Sequence, residues 1–331
     1  MRLTWGGAQE KRIPRCMVRV NLTDQRLDVH DTRSMPLKCV TIIDKPGGWT
    51  SHDVVAKVRT MVGERSIGHL GTLDPLATGV LPLVIGKMTR LSQFYENSEK
   101  AYEGMIRLGL ATDTYDADGE ALGTPQEVKV TLEELAAAAR GFVGSIEQVP
   151  PPFSAMKIQG VPAYKLARRR QEVQLPPVRV EVLEFAILGL EVELCRFRCR
   201  VSSGTYVRSI AHELGQRLGC GAHLAALRRT AVAEFGLGDA HTLEEIAEAV
   251  AGGRLDALAM HPRRVLPKLP SVTADEETLG KIRHGRCVHL ADFSGSKWVK
   301  VFAGQSDLVC LASRVAGSLF HPKVVLWGNS P

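Results

Sequence analysis

Residues 68–82 read Gly-His-Leu-Gly-Thr-Leu-Asp-Pro-Leu-Ala-Thr-Gly-Val-Leu-Pro, and no other run constrains the chain as much. One carboxylate, Asp74, stands among glycines in an otherwise uncharged segment. Glycine lets the backbone approach a ligand closely or adopt positive φ. Pro75 fixes φ directly after the acid. An acid held this stiffly suits a nucleophile or base, because an aspartate with an ordinary pKa of about 3.9 is ionised at neutral pH. The residue types alone favour a plainer reading. Asp followed by Pro commonly starts a helix, with the Asp as N-cap and the Pro at the first helical position.

Further strings bear on the choice. They are Lys45-Pro46-Gly47-Gly48-Trp49-Thr50-Ser51, Lys100-Ala101-Tyr102, Ser203-Gly204-Thr205-Tyr206-Val207-Arg208-Ser209 and Leu227-Arg228-Arg229-Thr230. Together with residues 68–82 they resemble the motifs of the bacterial tRNA pseudouridine synthase B (TruB) family, strongly over residues 37–265 and weakly in the tail. The resemblance implies an isomerase that turns uridine 55 of the tRNA T loop into pseudouridine. It implies the pseudouridine synthase fold, an α+β architecture. A large, mixed, mostly antiparallel sheet would be flanked by helices, with a small PUA-like β-barrel at the C terminus.

In that family the aspartate is the essential carboxylate, which makes it Asp74 here. Tyr206 falls at the active-site tyrosine, a candidate general base, and Arg208 is placed to pair with Asp74 and keep it ionised. The implied substrate-binding set is His69, Tyr102, Leu227, Arg229, Arg90 and Lys45. Tyr102 would pack on a uracil flipped out of its stack and Leu227 would line its pocket. His69 would assist flipping, Arg229 would support the site, and Lys45 and Arg90 would lie beside it. Asp74 could attack the sugar C1′ or the uracil C6, or deprotonate the ribose 2′ position. Phe153 stands where family members commonly have tyrosine, which keeps the aromatic face. A non-catalytic RNA-binding or tRNA-folding protein on the same scaffold is the competing class; the intact Asp74, Tyr102, Tyr206 and Arg208 argue against it.

The chain's 331 residues suffice for two domains, and its net charge of +6 suits a polyanionic partner such as the T stem-loop of tRNA. Seven scattered cysteines without a C-x-x-C support neither a disulfide framework nor a zinc site, so a reducing cytoplasm is expected. No apolar run approaches the length needed to span a membrane and no secretory signal is evident. With Gly119 as the sixth residue of a calcium loop, the first would be Thr114 rather than an Asp, so Asp113–Gly119 reads as a strand-connecting turn. Neither metal nor organic cofactor is expected, and nothing demands more than a monomer.

Residues 1–36 read as an extension ahead of a catalytic domain over 37–268 and an RNA-binding domain over 269–331. A strand is expected over 37–44, and a helix capped by Ser51 and closed by Gly63. Thr131 and Glu134 form a capping box. Residues 191–201 alternate, with Cys195, Phe197, Cys199 and Val201 on one face and Arg196, Arg198 and Arg200 on the other. That arginine stripe is either a solvated face or an RNA-facing one. Residues 148–178, with Arg168-Arg169-Arg170, resemble the family's RNA-gripping insertion, and Pro262, Pro267 and Pro270 mark a linker. The first 34 residues are expected to be disordered or to precede the true start at Met35. The intact mass of natively expressed protein tests the second option, and a species beginning at Met1 overturns it.

Overall fold

The computed structural model describes residues 37–327 apart from 170 and 172. The expectations for residues 1–36 and for Arg170 lie outside the described residues. The chain runs β1 (Cys39–Lys45), α1 (Ser51–Val62), β2 (Ile67–His69), β3 (Thr78–Ile85), a 3-10 helix (Gly86–Phe94), β4 (Lys100–Leu108), α2 (Leu132–Arg140) and β5 (Gly144–Gln148). A short hairpin, β6 (Lys157–Ile158) and β7 (Val161–Pro162), and α3 (Ala163–Ala167) occupy the insertion. There follow β8 (Val178–Glu191), β9 (Leu194–Val201), α4 (Val207–Arg217), β10 (Ala222–Val232), β11 (Phe235–Gly236), β12 (Ala240–His241) and α5 (Leu243–Ala251). The C-terminal part holds β13 (Ser271–Ala274), α6 (Glu276–Arg283), β14 (Val288–His289), β15 (Trp298–Ala303), β16 (Asp307–Ala316) and β17 (Leu319–Val325).

Ten strands form one sheet along the path β12-β1-β3-β10-β4-β9-β8-β5, with β2 on β3 and β11 on β10. Within it β1–β12 and β3–β10 run parallel and the other described pairs antiparallel. Strands β1 and β3 are apolar on both faces because both faces are covered. Ile43, Leu81, Leu83 and Ile85 enter the core shared with α1, α2 and α4. Val40, Ile42, Val80 and Val84 enter a second core, shared with Phe302, Leu308, Leu311 and Val324 of the C-terminal sheet.

Strand β9 is covered on one face only. Cys195, Phe197, Cys199 and Val201 are buried and the three arginines are exposed, as the alternation predicts, although a turn at Val192–Glu193 assigns Glu191 to β8. Arg198 meets Glu184 at 2.8 Å, Arg196 meets Glu191 at 3.9 Å and Arg200 meets Glu99 at 4.0 Å. The register sets Arg198 opposite Glu103 and Tyr102 opposite Cys199, so the stripe lies on the face away from Tyr102. It is the solvated, ion-paired face.

Two local expectations shift. The cap of α1 is Thr50, in a capping box with Asp53, and Ser51 is buried in the first turn. The Thr131–Glu134 box on α2 forms as expected. The C-terminal strands follow the path β13-β15-β16-β17-β14, and no described pairing joins its two ends, which makes a curled half-barrel. The turn-rich run 262–270 before it is pinned from both sides. Buried Lys300 donates to Arg263 O and Val265 O at 2.9 Å each. Glu234 accepts from Leu266 N at 2.8 Å and from the Tyr95 hydroxyl at 2.5 Å. The six described cysteines are free thiols, and no described helix is long and apolar enough to cross a membrane.

Phe197→Ala is expected to cost about 3–5 kcal/mol, the usual loss for a buried aromatic. Its neighbour Arg198→Ala should cost under about 1 kcal/mol, as for an exposed ion pair. Equilibrium urea unfolding measures both, and equal losses would contradict the one-sided burial of β9.

Candidate active site

The segment between β2 and β3 carries Asp74 and has little regular structure. A backbone without a ladder of its own must find hydrogen-bond partners elsewhere. Arg229, fully buried on the central strand β10, donates to Gly71 O at 2.9 Å, Thr72 O at 3.2 Å and Val80 O at 2.8 Å. The Ser51 hydroxyl accepts from Leu73 N at 2.8 Å and donates to Leu73 O at 3.0 Å. Pro75 O accepts from Gly48 N at 2.9 Å and from Lys45 Nζ at 3.4 Å. No helix follows the Asp–Pro pair; Ala77 N donates to Asp74 O at 3.1 Å and the chain enters β3, so the helix-cap reading is wrong. Gly79 lets β3 lie close to β10, since a Cβ there would sit 2.2 Å from Arg229 O.

Asp74 Oδ2 lies 2.9 Å from Arg208 Nε, with the Asp74 side chain 40% exposed and that of Arg208 7% exposed. The Nε–H does not aim at the carboxylate, so the contact is charge with charge. Arg208 Nη1 also lies 3.5 Å from Asp116 Oδ2, and the guanidinium donates to Thr114 O at 3.2 Å and Phe153 O at 3.1 Å. Arg208 occupies the first turn of α4, where the helix dipole disfavours a cation. Two carboxylates offset that cost. Tyr206, the residue before α4, has its peptide gripped by the buried Gln148 amide, which accepts from Tyr206 N at 2.8 Å and donates to Tyr206 O at 3.1 Å.

A cavity of about 440 Å³ opens here, lined by Asp74, Arg208, Tyr206, Tyr102, Leu227 and His69 among others. Burial pushes the Tyr206 hydroxyl up, opposed by the Ser154 hydroxyl and the Arg208 charge, so it is a protonated phenol at neutral pH. Burial likewise raises Tyr102, against the pull of Arg229 beside it. His69 is lowered by burial, then by the charges of Arg229 and His52, and is neutral near pH 7.

Three residues expected to bind substrate do not line the cavity. Lys45 is fully buried and donates to Pro46 O at 2.8 Å and Trp49 O at 2.5 Å as well as to Pro75 O. Burial brings it down to about 8, against the raising effect of Asp74. Arg229 spends its donors on backbone carbonyls. Arg90 is exposed and donates to Val325 O at 2.8 Å, on the C-terminal half-barrel. Lys45 and Arg229 are engaged with carbonyls inside the fold, as a support role for Arg229 implies, whereas Arg90 is exposed and spends one donor on Val325 O. Conversely, the sequence does not single out Asp116 or Gln148, and it gives Ser51 only as a helix cap at the end of the Lys45–Ser51 string. Asp116 is buried inside the Asp113–Gly119 turn and looked like one polar residue among several. No group of His, Cys, Asp and Glu among the described residues could hold a metal ion.

Comparisons with known proteins bear on the family and the fold. Residues 59–207 match the model of the TruB family pseudouridylate synthase N-terminal domain, and residues 208–266 that of the tRNA pseudouridylate synthase B C-terminal domain. The chain is 49% identical over 290 residues to tRNA pseudouridine synthase B of Solibacter usitatus, covering 87% of this chain and 99% of the relative. It is 52% identical over 207 residues to the protein of that name from Opitutus terrae, covering 62% and 86%. A Cbf5–Nop10–Gar1 complex holds a chain of the same fold, with TM-score 0.65 and 24% identity over 87% of this chain and 85% of that one.

Arg229→Met leaves three carbonyls without their donor. It is expected to cost about 3 kcal/mol or more, at about 1–3 kcal/mol for each unsatisfied buried group. Arg90→Met, at an exposed contact, should cost under about 1 kcal/mol. Urea unfolding of the two variants checks the contrast.

Proposed function

Because this chain belongs to the TruB family of pseudouridylate synthases, we propose that it converts uridine 55 in the T loop of tRNA to pseudouridine, with Asp74 as the nucleophile. The observation that carries the reading is the half-exposed Asp74 carboxylate in the cavity, 2.9 Å from a buried Arg208. The isomerisation breaks the N1–C1′ bond, forms a C5–C1′ bond, removes the C5 proton and returns a proton to N1. Asp74 is placed to drive the first step and Arg208 to hold its charge and direction. Tyr102 and Leu227 supply apolar walls for a flipped ring. Tyr206 offers its oxygen to the C5 proton. As a phenol it must hand its own proton to solvent in the open cavity as it takes that one, and solvent returns a proton to N1.

RNA recognition is supported by where cations are left unneutralised. Lys157, Lys165 and Arg169 of the insertion are exposed and join no ion pair among the described residues, unlike the arginines of β9. Arg168 lies over the Tyr164 ring at 5.6 Å. Cations of this kind suit phosphate contacts that set the position of a folded arm. We assign the C-terminal half-barrel a PUA-like RNA-binding role. The proposed setting is the cytoplasm, with a monomer as the acting unit.

An unmodified tRNA transcript, treated with wild-type or Asp74→Asn protein and mapped by carbodiimide labelling and primer extension, tests the reading. Wild type is expected to give a stop at the T-loop uridine. The variant should lose about 10³-fold or more in rate, as removal of a nucleophile does. A tRNA bound tightly by both proteins and modified by neither would overturn it in favour of a binding protein. Comparison of an isolated T stem-loop with ribosomal RNA fragments checks the target.

A further inference from the structure

One wall of the cavity is not used by the chemistry above. Lys100 opens β4, two residues before Tyr102, and its side chain lines the cavity. Its Nζ donates to Ser98 O at 2.9 Å. An ammonium has three donors, and among the described residues the other two have no partner. The cavity's carboxylates form no described ion pair with Lys100: Asp74 is paired with Arg208, and Glu96 is exposed and joins no described ion pair.

A charge of its own sign bears on Lys100. Burial, and then the Arg229 guanidinium of β10, bring it down to about 8. His69 of β2 lines the same cavity and feels the same guanidinium. Its Nδ1 accepts from Gly71 N at 3.3 Å, which leaves Nε2 as the N–H donor of the neutral ring. Gly71 lies between the two cations. A Cβ there would sit 3.3 Å from Lys100 Cε and 3.5 Å from Arg229 Nη1, so the loop backbone is packed on the lysine stem. Placing a lysine against a buried arginine costs free energy unless an anion arrives to offset it.

We propose that Lys100 receives the backbone phosphate next to the flipped uridine. The inference rests on the reading of the chain as a uridine-flipping isomerase. A nucleotide turned out of its stack rotates about its two flanking phosphates. Those phosphates remain at the mouth of the cavity while the base enters it. A uracil carbonyl carries only a partial charge. A phosphate oxygen carries the full charge that a lysine backed by an arginine answers best, and an ammonium serves it as a point charge. Lys100 thereby becomes a substrate-positioning residue, one phosphate away from the reacting base.

The test is a cycle between protein and RNA. A T stem-loop is made with one uncharged methylphosphonate linkage, on the 5′ or the 3′ side of the target uridine, and compared with the unmodified loop. Wild type, Lys100→Gln and Lys100→Arg are assayed for kcat, KM and, by filter binding, Kd. Lys100→Gln is expected to raise KM and Kd about tenfold, the loss of one charge-assisted contact, with kcat within about twofold of wild type. The slope of log Kd against log salt should fall by about 0.7, one single-strand phosphate contact. Lys100→Arg should keep near-wild-type Kd and serves as the folding control. One of the two neutral linkages should reproduce the loss in wild type and add nothing in Lys100→Gln. Additive losses at both linkages, or a fall in kcat with KM and salt slope unchanged, would overturn the proposal. Wild type inactive on the unmodified loop would instead count against the uridine-55 reading, while the Kd cycle would still report on Lys100.

Discussion

A buried guanidinium, that of Arg229, ties the Asp74 loop to the centre of the sheet. Burying a charge without a partner is costly, and the cost is tolerated only where its donors are satisfied. Here Gly71 O, Thr72 O and Val80 O satisfy them. The exchange works in both directions, because the loop has no ladder and needs those donors as much as Arg229 needs the carbonyls. Position does the rest. β10 lies between β3 and β4, with Arg229 in register with Gly79 on one side and Tyr102 on the other. One side chain therefore sets the height of the loop and the electrostatic surroundings of Tyr102, His69 and Lys100.

Arg208 holds the opposite side of the site by a different device. It stands where a helix dipole opposes it, and it is nearly buried. A local arrangement this unfavourable persists only when surrounding groups support it. Asp74 and Asp116 do so, together with the carbonyls of Thr114 and Phe153. The same guanidinium therefore joins three separate chain segments around the cavity, and Gln148 adds a fourth by gripping the Tyr206 peptide. The Asp74 carboxylate is placed by groups that have little freedom to move.

The basic residues divide by what neutralises them. Those of β9 face glutamates across the sheet and lie on the face away from Tyr102. Lys45, Arg229 and Lys300 are buried and serve carbonyl groups. Exposed cations that join no ion pair among the described residues, Lys157, Lys165 and Arg169 of the insertion among them, are what an RNA backbone could use. Net charge alone gives no such division, since an excess of +6 counts all these residues alike.

The residues alone determined which positions matter locally. The Thr131–Glu134 capping box and the alternation of β9 are patterns of near neighbours, and near neighbours in sequence are fixed in space by backbone periodicity; Asp74, Tyr102 and Tyr206 stood out through the strings that resemble the family's motifs. The family resemblance added roles to these positions. Tertiary structure decided which charged residues face the cavity and which hold it up. Lys45, Arg90 and Arg229 were expected at the substrate, yet each bonds to carbonyls within the fold. Asp116 and Gln148 carried no local signal and Ser51 only that of a helix cap, because their partners lie 92, 58 and 22 positions away along the chain. A side chain's burial and partner follow from strand order and register. Those are set by the whole hydrophobic core, which no short window of sequence contains.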